Sequence, residues 1–529
     1  MKRTHTSFLL LLSGFLLISG SSCKKFIDIN RDPNNPTVPV LSLLLPSAQV
    51  SLAGNMNTVN EGATTVMQQI VSTIDRYQQT GASFNDSWNG FYTQTLPDLQ
   101  TVINQGTQQQ QWGFVAIAKL EKAYLYSILV DLWGDVPYTQ ASKGSEITSP
   151  ALESGAAIYD SIFNLIDGAL ADIDKGVPIA PSSSDVIYAG NMDKWKRMAN
   201  SLKLKLFNQI RLSDPARATA GIKVLVASPA GLITDNTQDF TFKFGSSLNP
   251  NNRHPWYNSE YRAGKSYYEN QAFINRLFNA DDMRLRYYIY RQSATVGIYN
   301  SANGNGYYGR PPGDPTAAPA DQNTRSTVGI YPAGGLYDNG NVKDIPASYQ
   351  YLTNTGATSA QRVVSNSDGT GAGVTPLITN AMVKFIRAEA ALTLNTGDNA
   401  KQLFLDAVTA NLNSISSFAA ANGGVAMTNI AGFVNRLGLQ YDAAASDNAK
   451  LSLVMTQKWI AQFGNGIESY NDYRRTGYPV LDPLLSPLNV FPLRFYYTTT
   501  ELATNTTLSG AKGTALQVAQ QTKPVFWDK

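Results

Sequence analysis

Two histidines, one cysteine and 39 carboxylates set the chemistry that this 529-residue chain can attempt. His5 falls within a leader-like start, so His254 stands alone, and one imidazole cannot build a histidine-rich metal site. A Ser-His-Asp arrangement around it lacks a Gly-x-Ser-x-Gly elbow ahead of a helix. Next to Pro255 and Trp256, His254 reads as a loop hydrogen-bonder. Gly304 and Gly306 sit in an Asn/Tyr-rich loop with no strand before them, which is a turn and not a dinucleotide fingerprint. Paired acids are better placed. Asp131 and Asp135 flank Trp133-Gly134, and a glycosidase needs two carboxyls roughly 5–9 Å apart. The competing reading is structural: Gly134 ends a helix, Asp135 bonds nearby backbone and Pro137 prevents continuation.

Aromatic rings in polar loops are the other chemical resource. A sugar ring has an apolar face that stacks on Trp or Tyr, while Asn, Asp and Arg take its hydroxyls. That mixture occurs from Arg76-Tyr77 through Asn85-Asp86-Ser87-Trp88 to Tyr92, and again in Asn251-Asn252-Arg253-His254-Pro255-Trp256-Tyr257-Asn258. The alternative for each ring is packing against a neighbouring loop.

The elements that must position these residues begin after a leader. Lys2 and Arg3, the apolar runs Phe8–Leu12 and Phe15–Ile18, and the small residues Ser19–Ser22 lead to Cys23, a secretory signal too short to span a bilayer. Cys23 is then expected to carry lipid as the first mature residue. Gly20 stands where lipoprotein signals usually have Leu, so an ordinary signal peptide that contains a cysteine is the alternative. An exported chain with one thiol has no internal disulfide framework and depends on a hydrophobic core. The 43% apolar content supplies one. Without Lys2 and Arg3 the chain has 40 Lys+Arg against 39 Asp+Glu, a balance with no footprint for nucleic acid. Charged residues make up only 15%, which leaves a surface of neutral hydrogen-bonding groups.

Pro33, Pro36 and Pro39 mark residues 23–39 as a tether. Helices follow from periodicity over Trp112–Leu132, Ile158–Ile173, Trp195–Ile210, Thr379–Leu394, Ala400–Ala420 and Lys450–Phe463. Ala390, Leu394, Gly397, Ala400, Phe404 and Ala407 are spaced as in a tetratricopeptide-like helix pair. From about 246 to 376, Gly, Pro, Asn and Tyr dominate, and helical periodicity survives only near Tyr267–Arg291. Its aromatics favour ordered loops over disorder. The expectation is a mostly α, single domain over 40–529, with a loop-rich insertion at about 246–376.

The motifs together resemble the SusD/RagB family of nutrient-binding outer-membrane lipoproteins, in its SusD-like branch of Bacteroidetes. The resemblance starts at Cys23-Lys-Lys-Phe26-Ile-Asp28-Ile-Asn30 and continues through Asp131-Leu-Trp-Gly-Asp-Val-Pro-Tyr138. It runs on through Trp195–Lys203, Arg387-Ala-Glu389-Ala, Gln457-Lys458-Trp459, Tyr470–Pro479, Pro492–Tyr496, Glu501 and Val525–Asp528. It implies tetratricopeptide-like helix pairs beneath a loop-rich ligand face. It further implies a binding protein, not an enzyme; no cofactor and no metal-ligating residue is assigned, and a structural metal ion is left open. Such a protein captures oligosaccharide, or in some cases peptide, at the cell surface and delivers it to a SusC-type TonB-dependent transporter. By position in starch-binding relatives, it assigns ligand contact to Tyr77, Asn85, Trp88, Trp256 and Tyr257. A lipid-anchored glycoside hydrolase, or a helical-repeat assembly lipoprotein, are the other functions compatible with the residues.

Overall fold

The computed structural model describes residues 40–72, 75–177, 179–262, 267–292, 307–315, 325–339, 351–352, 358–359 and 364–528. Cys23, the leader over 1–22 and the tether over 23–39 lie outside the described residues. Helices of eleven residues or more are α1 (Leu41–Val66), α2 (Leu96–Gln108), α3 (Trp112–Trp133), α4 (Gly155–Asp174), α5 (Met192–Gln209), α6 (Pro215–Val226), α7 (Asn380–Leu394), α8 (Ala400–Ala421), α9 (Ile430–Ala443), α10 (Asp447–Ala461), α11 (Gly466–Thr476) and α12 (Ala511–Thr522). The expected mostly α architecture is observed.

Each helix predicted from periodicity forms, with ends set by local chemistry. The α3 helix is apolar round most of its girth and almost wholly buried; it stops at Gly134, whose φ of +85° a side chain would disfavour. Ser154, Asn191, Thr379 and Asn399 cap α4, α5, α7 and α8 by accepting a backbone N–H in the first turn. Pro215 opens α6 at its first position, behind the cap Asp214. The α7–α8 pair is the hairpin expected around Ala388–Val408: Asn395 turns the chain at φ 50° and Gly397 at φ 94°. It shares a satellite core of Phe385, Phe404, Val408, Phe433, Leu437 and Val454 with α9 and α10.

Six of these twelve helices, α1, α2, α6, α9, α11 and α12, lie outside the spans that apolar periodicity marks, and α1 and α11 are the two that bury many polar groups. The α1 helix contains Pro46 and buries Gln49, Asn60 and Thr64 among its apolar residues. The α11 helix buries Glu468, Asn471, Asp472, Arg474 and Arg475. The two pack so closely that a Cβ on Gly466 would lie 2.2 Å from the backbone nitrogen of Thr64.

Polar side chains on α11 meet partners from distant parts of the chain. Asp131, fully buried on α3, accepts from Tyr159 Oη at 2.5 Å, Trp527 Nε1 at 2.9 Å, Lys205 Nζ at 3.0 Å and Asn471 Nδ2 at 3.0 Å. Lys205 also meets Glu468 at 3.1 Å. Burial alone would strip the Lys205 proton, but the two carboxylates outweigh it and hold the ammonium above its ordinary range. One turn further along α11, Arg475 grips Glu389 of α7 through two bonds of 2.7 Å, and Arg211 joins at 3.2 Å. Burial opposes ionisation of Glu389, yet Arg475, Arg211 and Lys458 hold its carboxyl far below the usual range.

The 246–376 segment leaves and re-enters the helical body through one neck. Strand β1 (Phe240–Lys243) pairs antiparallel with β2 (Val374–Ile378), with a register shift at Phe240/Thr241. Within the segment, the periodicity near Tyr267–Arg291 resolves into helices Gln271–Asn279 and Leu285–Tyr288. A further short helix, Pro255–Glu260, follows the neck.

Asp131→Ala removes the acceptor of four donors and leaves Lys205 with Glu468 alone. The expected loss is about 3–5 kcal/mol of unfolding free energy, measured by urea denaturation. A loss below about 1 kcal/mol would show that the buried network adds little to stability.

Candidate functional site

The five aromatic and amide positions expected at the ligand face fall into two groups. Tyr77, Asn85 and Trp88 make the first. The short helix Asn85–Gly90 presents Asn85 to Thr499, with Nδ2 donating to Oγ1 at 2.9 Å. Tyr77 lays its edge on Phe491, centroids 5.6 Å apart, and its carbonyl accepts from Asn489 at 2.9 Å. Trp88 is only 1% exposed. Its ring is hemmed by Tyr92 at 4.8 Å, Trp133 at 5.2 Å and Tyr497 at 6.3 Å, and Nε1 donates to Glu501 at 3.2 Å. An indole closed in this way has no free face for a sugar. In this structure Trp88 is a core residue that clasps the C-terminal segment, contrary to the stacking role expected from its polar neighbours.

Trp256 and Tyr257 form the second group, on the helix Pro255–Glu260. Pro255 starts that helix, and His254 caps it by accepting the Trp256 N–H at Nδ1, 3.2 Å away. The structural reading of His254 is therefore the one observed. Burial pushes its imidazole down to about 3, which keeps it neutral at physiological pH. Tyr257 is also buried: it stacks on Tyr261 at 4.5 Å, donates to the Asp368 carbonyl at 2.6 Å and lies under the Arg253 guanidinium at 4.9 Å. Both of its faces are taken, and it acts as a prop for Arg253. Trp256 packs its edge toward Phe463 at 5.4 Å. No hydrogen bond or ring contact found among the described residues joins the two groups.

The second group borders a small, shallow cleft. Its walls are Ala53, Met56, Asn57 and Asn60 from α1, Phe244, Pro255 and Thr375 from the neck and the loop beyond it, and the buried His254 and Trp256. None of these side chains is charged once His254 is neutral. Asn60 is occupied, donating to the Gly464 carbonyl at 2.9 Å, whereas Asn57 is half-buried. Phe244 is half-buried as well, edge-on to Phe242 at 5.0 Å and to His254 at 4.9 Å. Sequence reasoning reached this place through Trp256 but missed Phe244 and Asn57. The alternation Phe240-x-Phe242-x-Phe244 is the signal for Phe244; nothing local marks Asn57, which stands on a helix that periodicity does not reveal.

The acid pair is accounted for by structure. Asp131 is saturated by its four donors, and exposed Asp135 accepts the Gly155 N–H at 2.9 Å at the start of α4. No group of three or more His, Cys, Asp or Glu side chains among the described residues is arranged to hold a metal ion. Among them, no helix is long and apolar enough to cross a membrane.

Residues 33–498 match the model of a SusD-like family described as "Starch-binding associating with outer membrane". A chitin-binding SusD homologue from Flavobacterium johnsoniae is 21% identical, with a TM-score of 0.68 over 92% of this chain and 98% of that one. A SusD/RagB family protein from Bacteroides thetaiotaomicron is 21% identical, with a TM-score of 0.69 over 93% and 99%. A SusD homologue from Bacteroides uniformis is 22% identical, with a TM-score of 0.63 over 92% and 99%. No curated protein matches the sequence.

Two measurements test the placement of these rings. Trp88→Ala is expected to cost about 3–5 kcal/mol of stability, seen as a lowered calorimetric Tm, with Trp88→Phe recovering much of it. A stable Trp88→Ala protein would return the ring to the ligand face. For His254, the unfolded imidazole binds a proton below about pH 6.5, whereas the folded one waits until about pH 3. The unfolded state therefore holds more protons in that window, and stability falls as pH drops through it, by an amount on the order of 4 kcal/mol in total. His254→Asn should flatten this part of the pH–stability curve; an unchanged slope would mean that the imidazole is hydrated in the folded protein.

Proposed function

The chain belongs to the SusD-like family, and from that premise we propose that it is a cell-surface lipoprotein that captures oligosaccharide for uptake. The family match over residues 33–498 carries this reading. In it, Cys23 holds the lipid that anchors the protein in the outer membrane, residues 23–39 form the tether, and residues 40–529 fold as one ligand-binding domain. The captured glycan passes to a SusC-type TonB-dependent transporter. Binding, not catalysis, is the chemistry, since the acids that could have formed a hydrolytic pair are held by backbone and buried donors.

The cleft beside Trp256 fits a neutral polar ligand. Phe244 offers an aromatic surface, Asn57 offers an amide that can donate and accept, and Arg253 stands nearby on its tyrosine prop. The absence of charge from the walls suits a sugar better than an acidic or basic peptide. The free space in the cleft, about 10 Å³, is the size of one water molecule and far below the roughly 300–1,000 Å³ of drug-sized pockets, so a sugar ring would rest against its mouth and not enter it. Tyr77 and Asn85, half-buried beside the C-terminal segment, remain part of the proposed ligand face. Trp256 and Tyr257 contribute by shaping the cleft and holding Arg253.

Calorimetry against starch-derived, chitin-derived and peptide ligands tests this directly. The expected result is oligosaccharide binding that weakens about tenfold in Phe244→Ala or Asn57→Ala, each with its Tm close to wild type. Peptide binding without glycan binding would overturn the substrate class. Binding unaffected by both substitutions would move the site elsewhere. Release of reducing ends would replace capture by hydrolysis.

A further inference from the structure

The loop-rich insertion meets the helical body along a seam, and three carboxyl groups of the body lie on it. Glu61 stands half-buried on α1, one turn beyond Asn57, and accepts the phenol O–H of Tyr267. Asp75 is buried and accepts the Gly313 N–H at 3.0 Å. Asp239 is half-buried at the root of the neck, where it accepts the N–H of Asn380, the first residue of α7, at 2.7 Å. Its charge is also felt by the buried Tyr331 of the insertion. Each carboxyl thus belongs to the body and faces the insertion.

One N–H or O–H donor answers one lone pair, whereas burial penalises the whole negative charge. Burial pushes Glu61 up to about 7, against the Tyr267 hydrogen bond, and no cation of the described residues offsets it. The other acid at Tyr267 is Glu260, which accepts its N–H at 2.9 Å. Burial pushes Asp75 up to about 6 in spite of the Gly313 bond and the charges of Arg310 and Arg76, while Asp314 adds to the rise. Burial likewise brings Asp239 to about 7, with Asp235 reinforcing it and the Asn380 bond, Lys384 and Lys243 opposing it.

Lifting the insertion away would return each carboxyl to water, where it ionises at about pH 4. Between about pH 4 and pH 7 the docked state therefore holds protons that the undocked state has lost. Docking is strongest at the acid end of that window and weakens as pH rises through it.

We propose that Glu61, Asp75 and Asp239 make the contact between insertion and body a proton-sensitive seam, tight in mildly acidic medium and looser towards neutrality. The cleft takes one wall from α1 and another from His254–Trp256 of the insertion, so the seam governs how firmly the two walls face each other. This coupling is a property of the chain itself and holds whichever ligand the cleft takes.

Hydrogen exchange on the full chain between pH 5 and pH 8 tests the seam, with protection factors corrected for intrinsic exchange rates. Wild type is compared with E61Q, D75N and E61Q/D75N, which keep an acceptor oxygen for Tyr267 and Gly313 but cannot ionise. The body titrates too, through Glu121 and Glu468, and His254 acts in the opposite sense below about pH 6.5. The quantity read is therefore the ratio of variant to wild-type protection at each pH. For the amides of Gln271–Asn279 the ratio should rise about tenfold from pH 5 to pH 8 in the double variant, and less in each single one. These amides should also be less protected than those of α3 throughout. A ratio that stays flat with pH overturns the seam. Protection of Gln271–Asn279 equal to that of α3 at every pH also overturns it, because the insertion would then open only when the whole protein unfolds.

Discussion

A buried carboxylate is tolerable only while its donors stay in place, and Asp131 has four of them drawn from four parts of the chain. The helix that carries it is central to the core, so its charge cannot be relieved by water. Lys205 supplies the countercharge, Tyr159 and Asn471 fill the remaining lone pairs, and Trp527 brings the C-terminal end against the same oxygen as Tyr159. The Glu389 network repeats the arrangement a turn away along α11. A helix of polar residues can therefore lie inside the protein, because each of its charged groups is answered from outside that helix. Hydrophobic burial supplies the bulk of the stability; these networks specify which helix lies beside which.

The cleft depends on that framework at one remove. The α1 helix forms one wall, and it is fixed against α11 by the contact at Gly466 and by the bond from Asn60 to Gly464. The other wall comes from the β1–β2 neck and the short helix capped by His254. Neither wall belongs to a loop free to wander, so the proposed site needs no ordering before a ligand binds. The tyrosine stack beneath Arg253 serves the same end.

Much of the scaffold was legible because apolar residues at helical spacing report a face that must be buried, as in α3, α4 and α5. The α11 helix was not, since its buried face is ionic and its partners lie at 131, 205 and 389. The α1 helix was hidden for a related reason: Gln49, Asn60 and Thr64 interrupt the apolar repeat and are explained only by partners elsewhere in the fold. The proposed ligand face is a different case. Polar neighbours made Trp88 look like a rim residue, but the rings and the carboxylate that close it come from 133, 497 and 501. Local sequence shows that an aromatic is present and not what will cover it. Trp256 led to the cleft described above, but its neighbours Phe244 and Asn57 were missed.

The Trp527–Asp131 bond also has a meaning in time. Residue 131 is made well before residue 527, so the centre of the core lacks one of its donors until 396 further residues have been added. The same holds for Asn471 and for both arginines of α11. Until those segments are made, Asp131 has only Tyr159 and Lys205 of its four side-chain donors. Segments made late therefore lock a helix made long before them.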